Sequence, residues 1–454
     1  MARLVFRRLH PFPVGDAAMK PFGYSILSLV AVIACHGPAL EGASHKQADV
    51  TEGAITEAQF VDSMGVNVHL NFTDGAYARL DRVRDDMRYL GLVHVRTHDG
   101  GDTVPLSDYA RLASEGLRFN LIATADQMDR NVDFAANLMA QVPGAVVSIE
   151  GFNEINNWPV SYRGLHKDEA GRAAQRDLYA KVKAHADLSH LPVLYFTGGE
   201  AVSDLSGMAD WANVHAYSNN AQQPGPAIRS AFDKYTGKAA KAPRANTEFG
   251  NFTLPEGWPE GKPYWANYTQ LGIDEVAQAK LVLTAYFEGA ESGIRRSYIY
   301  ELLDEKRDPK GTEPEFHFGL FTFEHRPKAA AKALHRLTGF LAKTRSDRNE
   351  GPIGARLKTA DGSIGILPLQ REDGSLIVAL WSRAPFWRWD QTYAGPAQMP
   401  TKQVDLVSWF GSGKIKAVAF DPLEDTTVKI KVRGGRNISV AVPNYPILIY
   451  LQKG

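Results

Sequence analysis

Apolar and polar positions repeat in one unit over most of the first three hundred residues. A short apolar run gives way to a polar loop, and a stretch of helical composition follows. The runs lie at 63–69, 92–96, 117–123, 146–149, 192–196, 212–216, 244–248 and 297–300. A short run bounded by turns, with β-branched residues such as Val146, Val147 and Ile149, reads as a strand buried on both faces. Helical composition appears at 77–90, 173–186 and 274–288, the last with Val276, Ala279, Leu283 and Phe287 on one face. A final helix is predicted over 327–342, with Pro327 near its first turn. The fifth connection, 205–211, is barely helical. Strands alternating with helices predict a parallel sheet. Eight of them over about 240 residues predict a (β/α)8 barrel, a TIM barrel, whose usual length is about 250. The competing doubly wound open sheet would need an early Gly-rich turn to bind a nucleotide, and no G-x-G-x-x-G follows a strand.

Beyond residue 344 the pattern shortens. β-type runs at 355–359, 363–369, 376–383, 403–410, 415–420, 427–432, 438–442 and 446–451 are separated by turn signals such as Asp373-Gly374 and Gly434-Gly435. That spacing predicts a C-terminal β-sandwich. The expected division is an export signal and tether over 1–56, a barrel over 57–345 and a sandwich over 346–454. In the leader, Arg3, Arg7, Arg8 and Lys20 precede an apolar run at 24–34. The run is too short to span a bilayer comfortably and reads as an export signal, with Met19 as a second candidate start. It ends Val32-Ile33-Ala34-Cys35, similar to a bacterial lipobox, with the only cysteine where a lipid would be attached. The alternatives are a lipoprotein anchored through Cys35 and a chance cysteine in a cleaved signal. The expected location is the periplasm, the outer membrane as a lipoprotein, or the medium.

Composition narrows the partners. Lysine plus arginine equals aspartate plus glutamate at 51 each, which argues against nucleic acid as the main partner. Hydrophobic residues make up 44% of the chain, as in a folded globular protein. A single cysteine leaves no internal disulfide, so a large core must carry the stability.

Candidate chemistry sits at strand tips. Asn153 and Glu154 follow the fourth run, and Glu248 ends the seventh. In an eight-stranded barrel both tips point into one mouth. Two carboxylates facing each other are what glycosidic cleavage needs, one protonated to donate and the other ionised to attack. Like charges help to keep one proton in the pair. Glu150, four residues before Glu154, lacks a preceding asparagine and reads as a structural carboxylate. Glu301, Asp304 and Glu305 form an acidic group at the end of the eighth run. A salt bridge to Arg295 or Arg296 is the first expectation for it, with substrate or a cation as alternatives. No pair of histidines has ligand spacing backed by a third ligand, so neither a catalytic metal nor another cofactor is expected. Trp158, on the loop after Glu154, is a candidate platform for a sugar face. Phe386-Trp387-Arg388-Trp389 reads as a docking element of the sandwich, with substrate contact as the alternative.

These motifs resemble those of clan A glycoside hydrolases, retaining enzymes on a (β/α)8 barrel. Gly151-Phe152-Asn153-Glu154-Ile155-Asn156 is similar to the clan's G-x-N-E-x-N, and Thr247-Glu248-Phe249-Gly250 to its T-E-x-G. His215-Ala216-Tyr217 resembles the H-x-Y ending strand six, and Arg96 the arginine ending strand two. Phe318-Gly319-Leu320 and Arg326-Pro327-Lys328 also resemble the clan's pattern. The resemblance runs from about residue 61 to 454 and is nearest to the family 39 exopolysaccharide glycosidases of bacteria, with family 5 close. It implies Glu154 as acid/base and Glu248 as nucleophile. It also implies Asn153 on the sugar 2-hydroxyl, Tyr217 and Arg96 on Glu248, and His215 and His69 lining the mouth. Where many members have a tryptophan that floors the subsite of cleavage at the end of strand eight, this chain has Tyr300 as the candidate platform, which leaves the sugar open. The substrate implied is a polysaccharide or oligosaccharide. The alternatives are a transglycosylase on the same scaffold and a non-catalytic glycan-binding barrel.

Overall fold

The computed structural model describes residues 54–266, 270–343, 353–358, 362–390, 392–409 and 413–454. The expected export signal, Cys35, most of the tether and the expected boundary at 345/346 lie outside them. Among the described residues, no helix is long and apolar enough to cross a membrane.

All eight apolar runs form strands of one parallel sheet. They are β1 (Met64–Asn67), β2 (His94–His98), β3 (Arg118–Ile122), β4 (Val146–Glu150), β5 (Val193–Leu194), β6 (Ala212–His215), β7 (Arg244–Phe249) and β8 (Ile294–Ile299). β8 pairs with β1 through Ser297 and Met64, and a parallel bridge between Leu194 and Trp211 joins β5 to β6. The sheet is therefore closed. Among the described residues, seven helices longer than two turns surround it: α1 (Leu80–Leu90), α2 (Leu106–Ser114), α3 (Met128–Gln141), α4 (Lys167–Ala184), α5 (Pro224–Phe232), α6 (Glu275–Glu291) and α7 (Ala329–Lys343). Between β5 and β6 there are only turns, as the weak pattern at 205–211 implied.

The C-terminal region is antiparallel but for one short strand. A six-stranded sheet contains Ile364–Gln370, Leu376–Ser382, Ile447–Lys453 and Ile415–Asp421, and a four-stranded sheet contains Gly354–Leu357, Lys402–Trp409, Asn437–Val442 and Ile430–Arg433. Val378 and Ile449 of the first sheet share a buried core with Ala355, Leu406 and Val440 of the second. This is the β-sandwich. Ile55–Thr56, at the end of the expected tether, adds to the six-stranded sheet, parallel to Leu369–Gln370. Thr56 then caps the short helix Glu57–Asp62 through the Gln59 amide. The chain thus touches the sandwich before it enters the barrel.

Helix α6 differs from its sequence pattern. Val276, expected on the buried face, is 46% exposed, while Ala277 through Gly289 are buried almost throughout, Lys280 excepted. The sandwich covers the side of α6 that a barrel helix would show to water. Trp381 lies beside Phe287, with ring centroids 5.9 Å apart, and its indole donates to Glu288 at 3.1 Å. Arg383 donates to the same carboxylate at 3.0 Å. The Phe386–Trp389 stretch docks as expected. Trp387 is in the core, and Trp389 meets Trp265 of the loop after β7 edge-on.

Glu288 is fully buried, and both donors reach its Oε1. Arg383→Ala should cost about 3 kcal/mol by urea unfolding, because it strands a buried carboxylate. Glu291→Ala, which removes only Arg383's more exposed partner, should cost less than about 1 kcal/mol.

Candidate active site

The centre of the barrel is polar, and it is built around Arg96. From the end of β2 its side chain, 2% exposed, meets Glu150 of β4 with two hydrogen bonds of 2.8 Å. Its Nη1 donates to Glu248 Oε1 at 2.6 Å and to Asn67 Oδ1 at 2.8 Å. Its Nη2 also donates to Asn153 Oδ1 at 2.7 Å. Glu150 takes further donors from Asn120 (2.6 Å), Thr247 (2.9 Å) and Asn213 (3.2 Å). Burial alone would raise the Glu150 carboxyl, but the Arg96 charge and these hydrogen bonds outweigh it and hold the carboxyl below its usual range. Glu150 faces inward, where it fixes Arg96 rather than reaching the mouth.

Glu248 is held from two sides. Arg96 binds one oxygen, and the Tyr217 hydroxyl donates to the other at 2.9 Å. Burial and the neighbouring Glu248 charge push the Tyr217 hydroxyl well above its ordinary value, so it remains a donor.

Glu154 stands just past β4 with a φ of 42°, a left-handed conformation uncommon for a residue with a side chain. The β4 and β5 tips lace together there. Glu154 N donates to Thr197 Oγ1 at 3.0 Å and Ile155 N to the Thr197 carbonyl at 3.0 Å. Gly198, with φ +76°, lies against the Glu154 backbone, and any Cβ would collide with it. One Glu154 oxygen meets His215 Nδ1 at 2.9 Å and the other accepts from Asn157 at 2.8 Å. His215 Nε2 faces Arg96 Nη2 at 3.5 Å. The nearer partner of Nε2 is Thr247 Oγ1 at 3.2 Å, and both Nη2 protons of Arg96 already go to Glu150 and Asn153.

A ring nitrogen of His215 and one oxygen each of Glu154 and Glu248 lie within 4.8 Å of one another. The His215 hydrogen bond, against the effect of burial, holds the Glu154 carboxyl below its usual range. The arrangement therefore offers a fixed carboxylate opposite a more exposed one that shares a proton donor.

The other expected residues spread along the mouth. The Asn153 carbonyl is occupied by Arg96, which turns its NH2 to other partners. Trp158 is 70% exposed and rims a cavity of about 460 Å³ with His98, Asp126 and Asn153. The Tyr300 hydroxyl donates to Glu315 at 2.6 Å, and its ring meets Phe318 and His69 edge-on. His69 stacks on Phe72 at 4.6 Å. The acidic group after β8 makes neither expected salt bridge. Arg296 pairs with Asp62, Arg295 lies over the Trp211 ring, and Asp304 pairs with Lys328 at 2.7 Å. Glu301 accepts from Tyr77 at 2.7 Å, and Glu305 lies 3.8 Å from His69. Burial, then the charge of Glu305, pushes Glu301 well up; burial pushes Glu305 up to about 7.

Sequence reasoning missed Asn67, Asn120 and Asn213, which complete the Arg96–Glu150 network, and Glu315 beside Tyr300. The asparagines had a signal: each interrupts an apolar run. Glu315 had none.

The Arg96 network gives a pH test. Arg96→Met should cost about 3–5 kcal/mol near pH 7 by chemical denaturation, since it leaves Glu150 buried without its cation. The wild type keeps the Glu150 contribution above the ordinary carboxyl range of about 4.3 and loses it as pH falls through the lowered folded value. In the variant the stranded carboxyl takes up a proton, so the difference between the two proteins should shrink steadily as pH is lowered.

No family model matches the chain, and neither does any curated protein. Among solved structures, a family 39 glycoside hydrolase from the gut symbiont Bacteroides cellulosilyticus WH2 has a TM-score of 0.54 at 13% identity, over 88% of this chain and 82% of that one. A monomeric β-xylosidase from Caulobacter crescentus CB15 has a TM-score of 0.51 at 13% identity, over 89% of this chain and 97% of that one. At such identities the likeness is one of fold, and it extends beyond the barrel over most of the chain.

Proposed function

We propose that the chain is a retaining glycoside hydrolase that cleaves β-glycosidic bonds of a polysaccharide or oligosaccharide by double displacement. The observation that carries this reading is the facing pair, Glu154 and Glu248, with oxygens within 4.8 Å of each other. Retaining enzymes hold their two carboxyl groups about 5–5.5 Å apart, whereas inverting enzymes leave about 6.5–9.5 Å for a water. The fold likeness to a family 39 glycoside hydrolase and a β-xylosidase supports the same reading.

Glu248 is the nucleophile. Arg96 and Tyr217 orient it, and its attack on the anomeric carbon displaces the leaving oxygen, which takes a proton from Glu154. Water then attacks the glycosyl-enzyme, Glu154 recovers a proton from it, and the bond to Glu248 breaks. Glu154 must be protonated to begin. Its contact with His215 holds it as an anion at rest, so a sugar seated between the carboxylates must replace that contact and remove water, which raises the acid. The Asn153 NH2 is oriented to bond a sugar hydroxyl. Trp158 and the adjoining cavity provide room for a further sugar ring, which supports an extended substrate.

A screen of plant and bacterial polysaccharides by reducing-end release should yield a substrate. On it, Glu248→Gln should lose turnover to background, and Glu154→Gln should lose about 10²–10⁴-fold in kcat. NMR of the first product should show retained configuration. An inverted anomer, or wild-type turnover in either variant, would refute the mechanism. Binding without cleavage across the panel would indicate a glycan-binding barrel, and new products with added acceptor sugars a transglycosylase. Trp158→Ala should raise KM roughly 10-fold with little change in kcat, the pattern of a contact made equally in the ground and transition states.

A further inference from the structure

At the seam where the barrel closes, three side chains from its two ends converge outside the Glu154–Glu248 pair. His69 follows β1, and Glu301 and Glu305 follow β8. His69 Nε2 lies 3.3 Å from Glu301 Oε2 and 3.8 Å from Glu305 Oε1. One ligand atom from each of the three lies within 4.8 Å of the other two. Glu301 is fully buried; its Oε2, the oxygen facing His69, accepts from Tyr77 at 2.7 Å, while its Oε1 and His69 Nε2 have no hydrogen-bond partner among the described residues. The cations nearby are engaged elsewhere: Arg96, whose charge also acts on His69, with Glu150 and Glu248, Lys306 with Asp74 at 2.9 Å, and Lys328 with Asp304.

We propose that His69, Glu301 and Glu305 bind a divalent transition-metal ion, zinc first, that ties the first strand of the barrel to the loop beyond its last. The spacing selects the ligand. Donors at ~2.1 Å from a tetrahedral zinc stand roughly 3.4 Å from one another, and 3.3 and 3.8 Å bracket that value. An ammonium group hydrogen-bonded at ~2.9 Å would spread its acceptors to roughly 4.7 Å. An imidazole among the donors also disfavours calcium and magnesium, which take oxygen ligands.

The surroundings are arranged as a metal site requires. The Tyr77 hydroxyl donates to Glu301 at 2.7 Å and itself accepts from Leu303 N at 3.1 Å, which fixes the carboxylate. Phe72 stacks on the His69 ring, while Tyr77 and Tyr300 meet it edge-on. Two carboxylates balance a dication. The other cluster of this kind, Glu154, His215 and Glu248, adjoins the Arg96 guanidinium at 2.6 Å from Glu248, and that charge opposes a second cation there. Metal binding here is independent of the glycosidase reading. Its effect is to close a loop that runs almost the whole length of the barrel, in a chain that can form no internal disulfide.

The full chain, stripped with EDTA and re-equilibrated with Zn²⁺, decides the matter. The wild type should retain one equivalent of zinc through gel filtration, by elemental analysis, and its Tm should rise by several degrees. His69→Gln and Glu305→Gln should lose both the equivalent and the rise, with circular dichroism confirming their fold. Either variant suffices if the other fails to fold. Tyr77→Phe should bind about 10–100-fold more weakly, and His215→Gln should bind as the wild type does. The proposal is overturned if the wild type retains no zinc, if His69→Gln and Glu305→Gln keep it, or if only His215→Gln loses it.

Discussion

A buried guanidinium without counter-charges would cost several kcal/mol, and that cost constrains the barrel more than any apolar contact does. Arg96 sits 2% exposed between Glu150 and Glu248. Once it is there, the interior cannot be filled with leucine and valine as barrel interiors usually are. Asn67 of β1, Asn120 of β3, Asn213 of β6 and Thr247 of β7 turn inward to complete the network. With Arg96 and Glu150, six of the eight strands contribute a polar side chain. The mouth inherits its rigidity from this layer beneath it.

Rigidity is not shared equally across the mouth. Glu248 belongs to β7 itself, and its side chain is 9% exposed between Arg96 and Tyr217. Glu154 lies on a looped tip, 25% exposed, held by a left-handed backbone turn and by the lacing of β4 to β5. A group that must form a bond to one fixed atom benefits from being locked. A group that gives and takes protons benefits from contact with solvent. The asymmetry in position matches the asymmetry of the proposed roles.

The sandwich takes part in the fold rather than hanging from it. Trp381 and Arg383 reach Glu288 of α6, Phe420 stacks on Phe340 of α7 at 4.7 Å, and Ile55–Thr56 joins the sandwich sheet ahead of β1. The hairpin of Trp387–Trp389 and Ala394–Pro396 reaches the loop after β7, where the Ala394 amide donates to the Gly261 carbonyl at 2.9 Å. That loop leads away from Glu248, so the sandwich supports one wall of the mouth.

The sequence by itself determined the periodic features. Eight short apolar runs became eight strands, because a strand buried on both faces must be apolar and short whatever surrounds it. Asn153-Glu154 and Thr247-Glu248 could be placed at strand tips for the same reason. Only the tertiary structure decided what faces what. That Glu150 serves Arg96, that His215 claims Glu154, and that Glu315 reaches Tyr300 depend on closure of the barrel, which no local pattern encodes. The same holds for α6, whose expected single apolar face gave way to burial nearly all round once the sandwich covered it. The acidic group after β8 is the clearest case. Its sequence suggested salt bridges to Arg295 or Arg296, but Arg296 pairs with Asp62, Lys328 takes Asp304, and closure of the seam brought Glu301 and Glu305 a histidine from the start of the barrel instead. Long-range pairing of charges follows from three-dimensional distance, and distance across a closed barrel is set by the fold as a whole.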